Sequence, residues 1–332
     1  MKTSNQISSD NLTLYRVIAM TMVVLYHCTC YYASPTWPFG EGPYNSIMKV
    51  LTTLMGGIHM PVFVFISGYL YWILKHKGHY KNFLLFYKNK VLRLLVPYFV
   101  IGGGVLLIFS DLYRIQQLLY GICHLWFLQM LFGLFILSPG LWYLLETVKN
   151  DRLVTGLVTA SFLIFPFFAE INFLEITKIF YFLPFFLLGY ILQRRGVTET
   201  YNDWKYWLGL IGSFALLFVL CPRTLFMDKV IREYASFLVI IVITLIPNFA
   251  IPKGARLLVK NISDNSMGIY LFHQIIVACL IMTPAIKGWL DTTNCYLGVL
   301  FLFSVTFVSS WLLSIISNQY KLTQLLIGSK PQ

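Results

Sequence analysis

Leu14-Tyr15-Arg16-Val17-Ile18-Ala19-Met20-Thr21-Met22-Val23-Val24-Leu25-Tyr26-His27 decides the fold, because it is apolar around nearly every helical face yet carries an arginine and a histidine. Extended to 12–33, it is long enough to cross a bilayer as a helix, which takes roughly 20 apolar residues. Similar stretches follow at 52–74, 91–110, 124–145, 153–169, 178–193, 206–221, 234–251, 266–283 and 296–317. Backbone in lipid must satisfy its own hydrogen bonds, so about ten such segments predict an all-α, polytopic integral membrane protein. Composition agrees: 58% of residues are hydrophobic, 11% are charged and the mean hydropathy is +0.72, more than one soluble core can bury.

No internal repeat, low-complexity tract or domain-sized loop interrupts the 332 residues, so a single membrane domain over 1–332 is expected. The first ten residues are polar rather than basic and the first span is full length, which favours a retained first helix over a cleaved signal peptide. With the N-terminus inside, 18 of the 25 Lys+Arg fall on the cytoplasmic side and 7 outside, while the acidic residues split 6 and 7. That bias follows the positive-inside rule, carried mostly by Lys75, Lys77, Lys81, Lys88, Lys90 and Arg93, and an even span count then places both termini in the cytoplasm. Because the basic residues are dispersed among juxtamembrane loops, anionic headgroups account for them and no nucleic-acid partner is expected. Cys28, Cys30, Cys123, Cys221, Cys279 and Cys295 show no paired spacing for a metal or redox site, so no metal is expected; an external disulfide among Cys123, Cys221 and Cys295 stays open. The segment Ser34 to Leu51, with Pro35, Trp37, Pro38 and Pro43, reads as an ordered, partly re-entrant loop placed to cover a site from outside.

Ionisable residues are costly in a bilayer and mark function. Here they are basic or imidazole, namely Arg16, His27, His59, Arg93, His124 and His273, with Glu146 at a helix end as the acidic exception. Proton- and sodium-coupled carriers place carboxylates at mid-membrane, so this inventory points to an anionic ligand and neutral acid/base chemistry. Arg16 and His27 are eleven residues apart, which at 100° per residue returns to within about 20° of the same face with a rise of roughly 16 Å. Arg16 then sits near the headgroups, as a phosphate ligand or a snorkelling anchor, and His27 lies deep, as a general base or a ring bonded to a neighbouring helix. Pro61 and Ser67-Gly68 make the second helix either a broken, site-lining helix or a close-packing one. Arg93 enters the third helix before Pro97, and a guanidinium pair with Arg16 suits a diphosphate.

In order, Leu14-Tyr15-Arg16-Val17-Ile18-Ala19 through His27, His59-Met60-Pro61 through Ser67-Gly68-Tyr69-Leu70, and Arg93-Leu94-Leu95-Val96-Pro97-Tyr98 resemble the membrane-bound acyltransferase family three. So do His124-Leu125-Trp126-Phe127-Leu128, Tyr181 through Gly189-Tyr190, Ser266-Met267-Gly268-Ile269-Tyr270-Leu271 with His273, and the tail Leu322 to Gly328. The resemblance implies that Arg16 and His27 are catalytically required, that acetyl-CoA or another acyl-CoA is the donor, and that a carbohydrate or lipid-linked glycan is the acceptor. On this reading Arg16, Arg93, Ser67 and Gly68 hold the donor, while His59, His124, Trp126, Tyr270 and His273 are candidate substrate contacts. The cell inner (cytoplasmic) membrane is the implied location. Many members have an acidic residue three positions before the arginine, where this chain has Thr13. A transporter or flippase for a polysaccharide intermediate is the competing reading, disfavoured by the missing mid-membrane carboxylates and repeats.

Overall fold

The computed structural model describes residues 7–33, 37–148, 171–225, 230–245 and 251–329, all helix and loop with no strand among them. Its principal helices are α1 (Ser9–Ala33), α2 (Ser46–His76), α3 (Phe83–Ile108), α4 (Trp126–Val148), α5 (Ile176–Arg195), α6 (Trp204–Leu220) and α7 (Ile231–Leu245). After these come α8 (Lys253–Asp264), α9 (Ser266–Met282), α10 (Pro284–Thr292), α11 (Cys295–Ser317) and α12 (Lys321–Leu326). Six of the described helices are long and apolar enough to cross a membrane, or seven if α8 and α9, bent by 69°, count as one span. The chain is therefore a multi-pass helical membrane protein. α6, at 17 residues, is apolar but shorter than a span, and the expected 153–169 helix lies outside the described residues.

Local chemistry sets the boundaries. The Asn45 side chain accepts from the Ile47 and Met48 amides and starts α2 at Ser46, so the last part of the expected 34–51 loop is helix and the described loop is residues 37–45. Within α3 the turn Val91–Leu95 is π-helical, and Pro97 follows it. A π turn widens the helix by one residue and re-aims its side chains, here at Arg93. α8 escaped the apolar-window reading because it is amphipathic: Lys253, Arg256 and Lys260 alternate with exposed Leu257 and Leu258. The expected 234–251 helix begins at Ile231 instead, which corrects the acid inventory: Glu233 lies inside a helix and is wholly buried.

α1 packs along α2, α2 along α5, and α9 along α11. The α2–α5 seam is closed by glycines. A Cβ at Gly68 would run into the backbone of Phe186, and one at Gly189 into the backbone of Phe65 and Tyr69. Such small-residue seams let helix backbones approach within van der Waals range in a membrane, where apolar side chains alone give no preference for protein over lipid. All six cysteines are free.

At the end of α1 beyond His27, Tyr31 donates to Asp291 of α10 (2.5 Å) and Lys287 pairs with the same carboxyl (2.7 Å). Lys287 also donates to the Glu41 carbonyl (3.1 Å), tying the 37–45 loop to α10. Partial burial pushes the Asp291 carboxyl up, but Lys287 and Tyr31 outweigh it and hold the group below the ordinary carboxylate value. Since it titrates lower folded than unfolded, its contribution is complete above about pH 4 and is lost as pH falls through the lower folded value. Lys287→Met is expected to cost about 0.5–1 kcal/mol at pH 7 and less at pH 3, read as the gap between mutant and wild-type melting temperatures at the two pH values.

Candidate active site

Four buried imidazoles, from three helices of the bundle and the turn before α4, gather around His27 in the second half of α1. His27, His59, His124 and His273 are each under 10% exposed. The His27 and His273 rings lie 4.8 Å apart, His273 and His124 4.9 Å, and His27 and His124 6.3 Å. His59 joins through Tyr26, whose ring is 5.1 Å from His59 and 4.9 Å from His27. Trp37, from the 37–45 loop, stands 5.8 Å from His27. Among the described residues no group of His, Cys, Asp or Glu is arranged to hold a metal ion.

Backbone carbonyls can only accept, so they fix where each ring carries its proton. His27 Nδ1 faces Val23 O at 2.9 Å, and His273 Nδ1 faces Ile269 O at 3.1 Å and Tyr270 O at 2.7 Å. Both Nδ1 atoms therefore bear hydrogen. His273 Nε2 is then a bare acceptor, 3.1 Å from His27 Nδ1, and shares that hydrogen with Val23 O. By the same logic His27 Nε2 keeps its lone pair, the form a general base requires. His59 Nδ1 likewise donates to Met55 O. His124 is the reverse: Nε2 donates to Leu271 O at 3.2 Å, leaving Nδ1 a buried acceptor without a hydrogen bond.

The sequence around His124 is bent to place it there. Cys123 adopts φ 53°, a left-handed conformation costly for a residue with a side chain, between Gly121 (φ 78°) and the start of α4. The Tyr270 hydroxyl donates to the His124 carbonyl, and the Tyr270 ring lies 5.2 Å from that imidazole and 5.9 Å from His273. Tyr270 also lines a cavity of about 1070 Å³ that none of the four imidazoles lines, so its ring is what stands between that cavity and His124 and His273.

That cavity brings together residues far apart in sequence. Arg16, Ser67, Arg93 and Tyr270 all line it, with Lys90 and Lys321. Arg16 donates to Ser263 Oγ at 3.2 Å, and the charges of Asp264 and Arg93 act on it. Asp264 of α8 is thus an acid near Arg16, while the Thr13 hydroxyl donates to Ser9 O at 2.8 Å. Arg93 Nε donates to Gly328 O at 3.4 Å, and Gly328 (φ 66°) sits against the Arg93 backbone and the Pro97 ring, which docks the tail after α12 onto the cavity rim. Ser67 lines the cavity with its hydroxyl bonded to Phe63 O at 2.9 Å, whereas Gly68, one residue on, faces α5.

Trp126 stands apart from the imidazoles: its ring is 5.8 Å from Phe182 and lies under the Lys178 ammonium at 4.5 Å. Tyr26, Ser263 and Asp264 were not among the expected site residues, and Trp37 was expected only as part of the covering 34–51 segment. Trp37 had a signal, a tryptophan within a proline-rich connection, while Ser263 and Asp264 end a helix that apolar windows do not register.

A family model described as an acyltransferase domain, acyltransferase family 3, matches residues 9–315. No curated protein and no solved structure matches the chain.

Proposed function

We propose that this chain, which belongs to that acyltransferase family, moves an acetyl or other short acyl group from acyl-CoA to a hydroxyl of a surface carbohydrate or lipid-linked glycan. The observation that carries the reading is a cavity lined by two guanidiniums and by Tyr270, whose ring lies 5.9 Å from His273, the residue that accepts from His27 Nδ1 and leaves His27 Nε2 unprotonated. Arg16 and Arg93 take the donor's phosphates, with Lys90 and Lys321 adding charge at the rim; a guanidinium fork matches phosphate oxygens two at a time. The roughly 16 Å rise from Arg16 to His27 suits the extended arm that carries the thioester.

His27 Nε2 takes the proton of the acceptor hydroxyl as its oxygen bonds to the thioester carbonyl carbon. The C–S bond then breaks, the thiolate receives that proton, and the products are an acyl ester and a free thiol. His273 holds the reacting tautomer by accepting from His27 Nδ1, and it stabilises the imidazolium that forms. The basic end faces the cytoplasm, where acyl-CoA is made, and the membrane is the inner membrane of a bacterial cell.

Replacing Arg16 or Arg93 with glutamine is expected to raise the KM for acyl-CoA by about 10- to 100-fold, the worth of one charge-assisted hydrogen bond, with a smaller effect on kcat. Arg16→Lys should recover part of the loss. Steady-state kinetics in detergent or nanodiscs reads both. The reading itself is tested by adding radiolabelled acetyl-CoA to membranes containing the protein. Label in the glycan fraction, absent from protein-free membranes, supports it. Movement of labelled glycan across liposomes by the purified protein without any acyl donor would place it among transporters instead.

A further inference from the structure

Glu233 is fully buried in α7, and neither of its carboxyl oxygens has a hydrogen-bond partner. An unpaired carboxyl at such depth is costly, and a ligand that brings hydroxyl donors would relieve that cost. Its surroundings follow from helix register. Phe237 of α7 stacks on Phe185 of α5 at 4.5 Å, and one turn back on both helices are Glu233 and Tyr181, whose charges interact. Arg232 reaches the other way: its side chain packs where a Cβ on Gly57 would be, and its charge acts on both Tyr181 and Tyr26. Ser236 donates to the Gly57 carbonyl and locks α7 against α2 at that level. Tyr26 in turn touches His27 and His59.

We infer that Glu233, with Tyr181 and Arg232, forms a binding subsite for the hydroxyl groups of a sugar-like acceptor, separate from the donor cavity and reaching His27 through Tyr26. This rests on the acyltransferase reading above and specifies its acceptor side. The chemistry fits a neutral polyol. A carboxyl accepts from, and when protonated donates to, neighbouring hydroxyls; Arg232 donates to a ring or hydroxyl oxygen; tyrosine offers an apolar face and a polar tip. None of these three residues lines the cavity that holds Arg16 and Arg93, so donor and acceptor need not compete for space.

The test uses the purified full chain in nanodiscs and a panel of methyl glycosides (gluco, galacto, manno and rhamno), scored by thermal melting and, separately, by coenzyme A binding. At least one glycoside should raise the melting temperature of the wild type. Glu233→Gln should remove that shift, or weaken the apparent affinity about 10-fold or more, while keeping the melting temperature without ligand and the affinity for coenzyme A. His27→Ala should keep the glycoside shift although it transfers no acyl group, which separates failure of the subsite from failure of the chemistry. A shift unchanged in Glu233→Gln, no shift in the wild type with any glycoside, or loss of coenzyme A binding together with the shift would each overturn the assignment.

Discussion

His27→Ala is expected to lower acyl transfer by about 10³-fold or more while the protein stays folded and still binds acyl-CoA, because the mutation removes the group proposed to take the hydroxyl proton. The helix that carries His27 is held by α2, α9 and α11, and of the two acceptors of its Nδ1 hydrogen Val23 O is local while His273 Nε2 is the contact across to α9. His273→Phe is the graded partner experiment. Phenylalanine fills the space but cannot accept from His27 Nδ1, so kcat should fall by about 10-fold with the donor KM unchanged, and His273→Gln should restore part of it. Activity retained in His27→Ala would remove the imidazole from the reaction.

Gly68→Leu carries the largest expected structural effect. Its Cβ would overlap the carbonyl of Phe186, a backbone atom that cannot turn aside, so α2 and α5 must separate along their whole seam. A loss of about 1–3 kcal/mol or more is expected, with failure to fold in the membrane as the extreme, and Gly189→Leu should behave the same way from the opposite helix. Gly103→Leu on α3 is the control, since nothing lies within 4 Å of its Cβ. The comparison is read as monodisperse yield and melting temperature in detergent.

Much of this architecture was legible from hydropathy because apolar length is what a bilayer selects. The helices at 12–33, 52–74, 178–193 and 296–317 recur with their ends moved by a few residues, shifts set by caps such as Asn45 and Asn294 rather than by hydropathy. α8 was illegible for the same reason: an amphipathic helix at an interface has no apolar run. At the site, the Arg16–His27 spacing was readable because one helix carries both residues, though Arg16 lines the cavity and His27 does not. The meeting of His27 with His124 and His273 is a matter of tertiary packing, and residues 97 or more apart in sequence give no spacing from which to read it. Ser67-Gly68 divides along the same line. The pair looks like one motif in sequence, yet on a helix adjacent residues point about 100° apart, so the serine faces the cavity and the glycine faces α5. Glu233 was missed by a boundary, one turn of helix beginning earlier than the apolar run suggested.

In the proposed function a donor held by Arg16 and Arg93 is attacked under control of His27. Inside-out membrane vesicles given radiolabelled acetyl-CoA at their outer face, which is then the former cytoplasmic face, test it most directly across wild type, Arg16→Gln and His27→Ala. Label in the glycan fraction for the wild type, recovered in Arg16→Gln at high donor concentration and absent in His27→Ala at any, is the predicted result. Equal labelling by wild type and His27→Ala would contradict it.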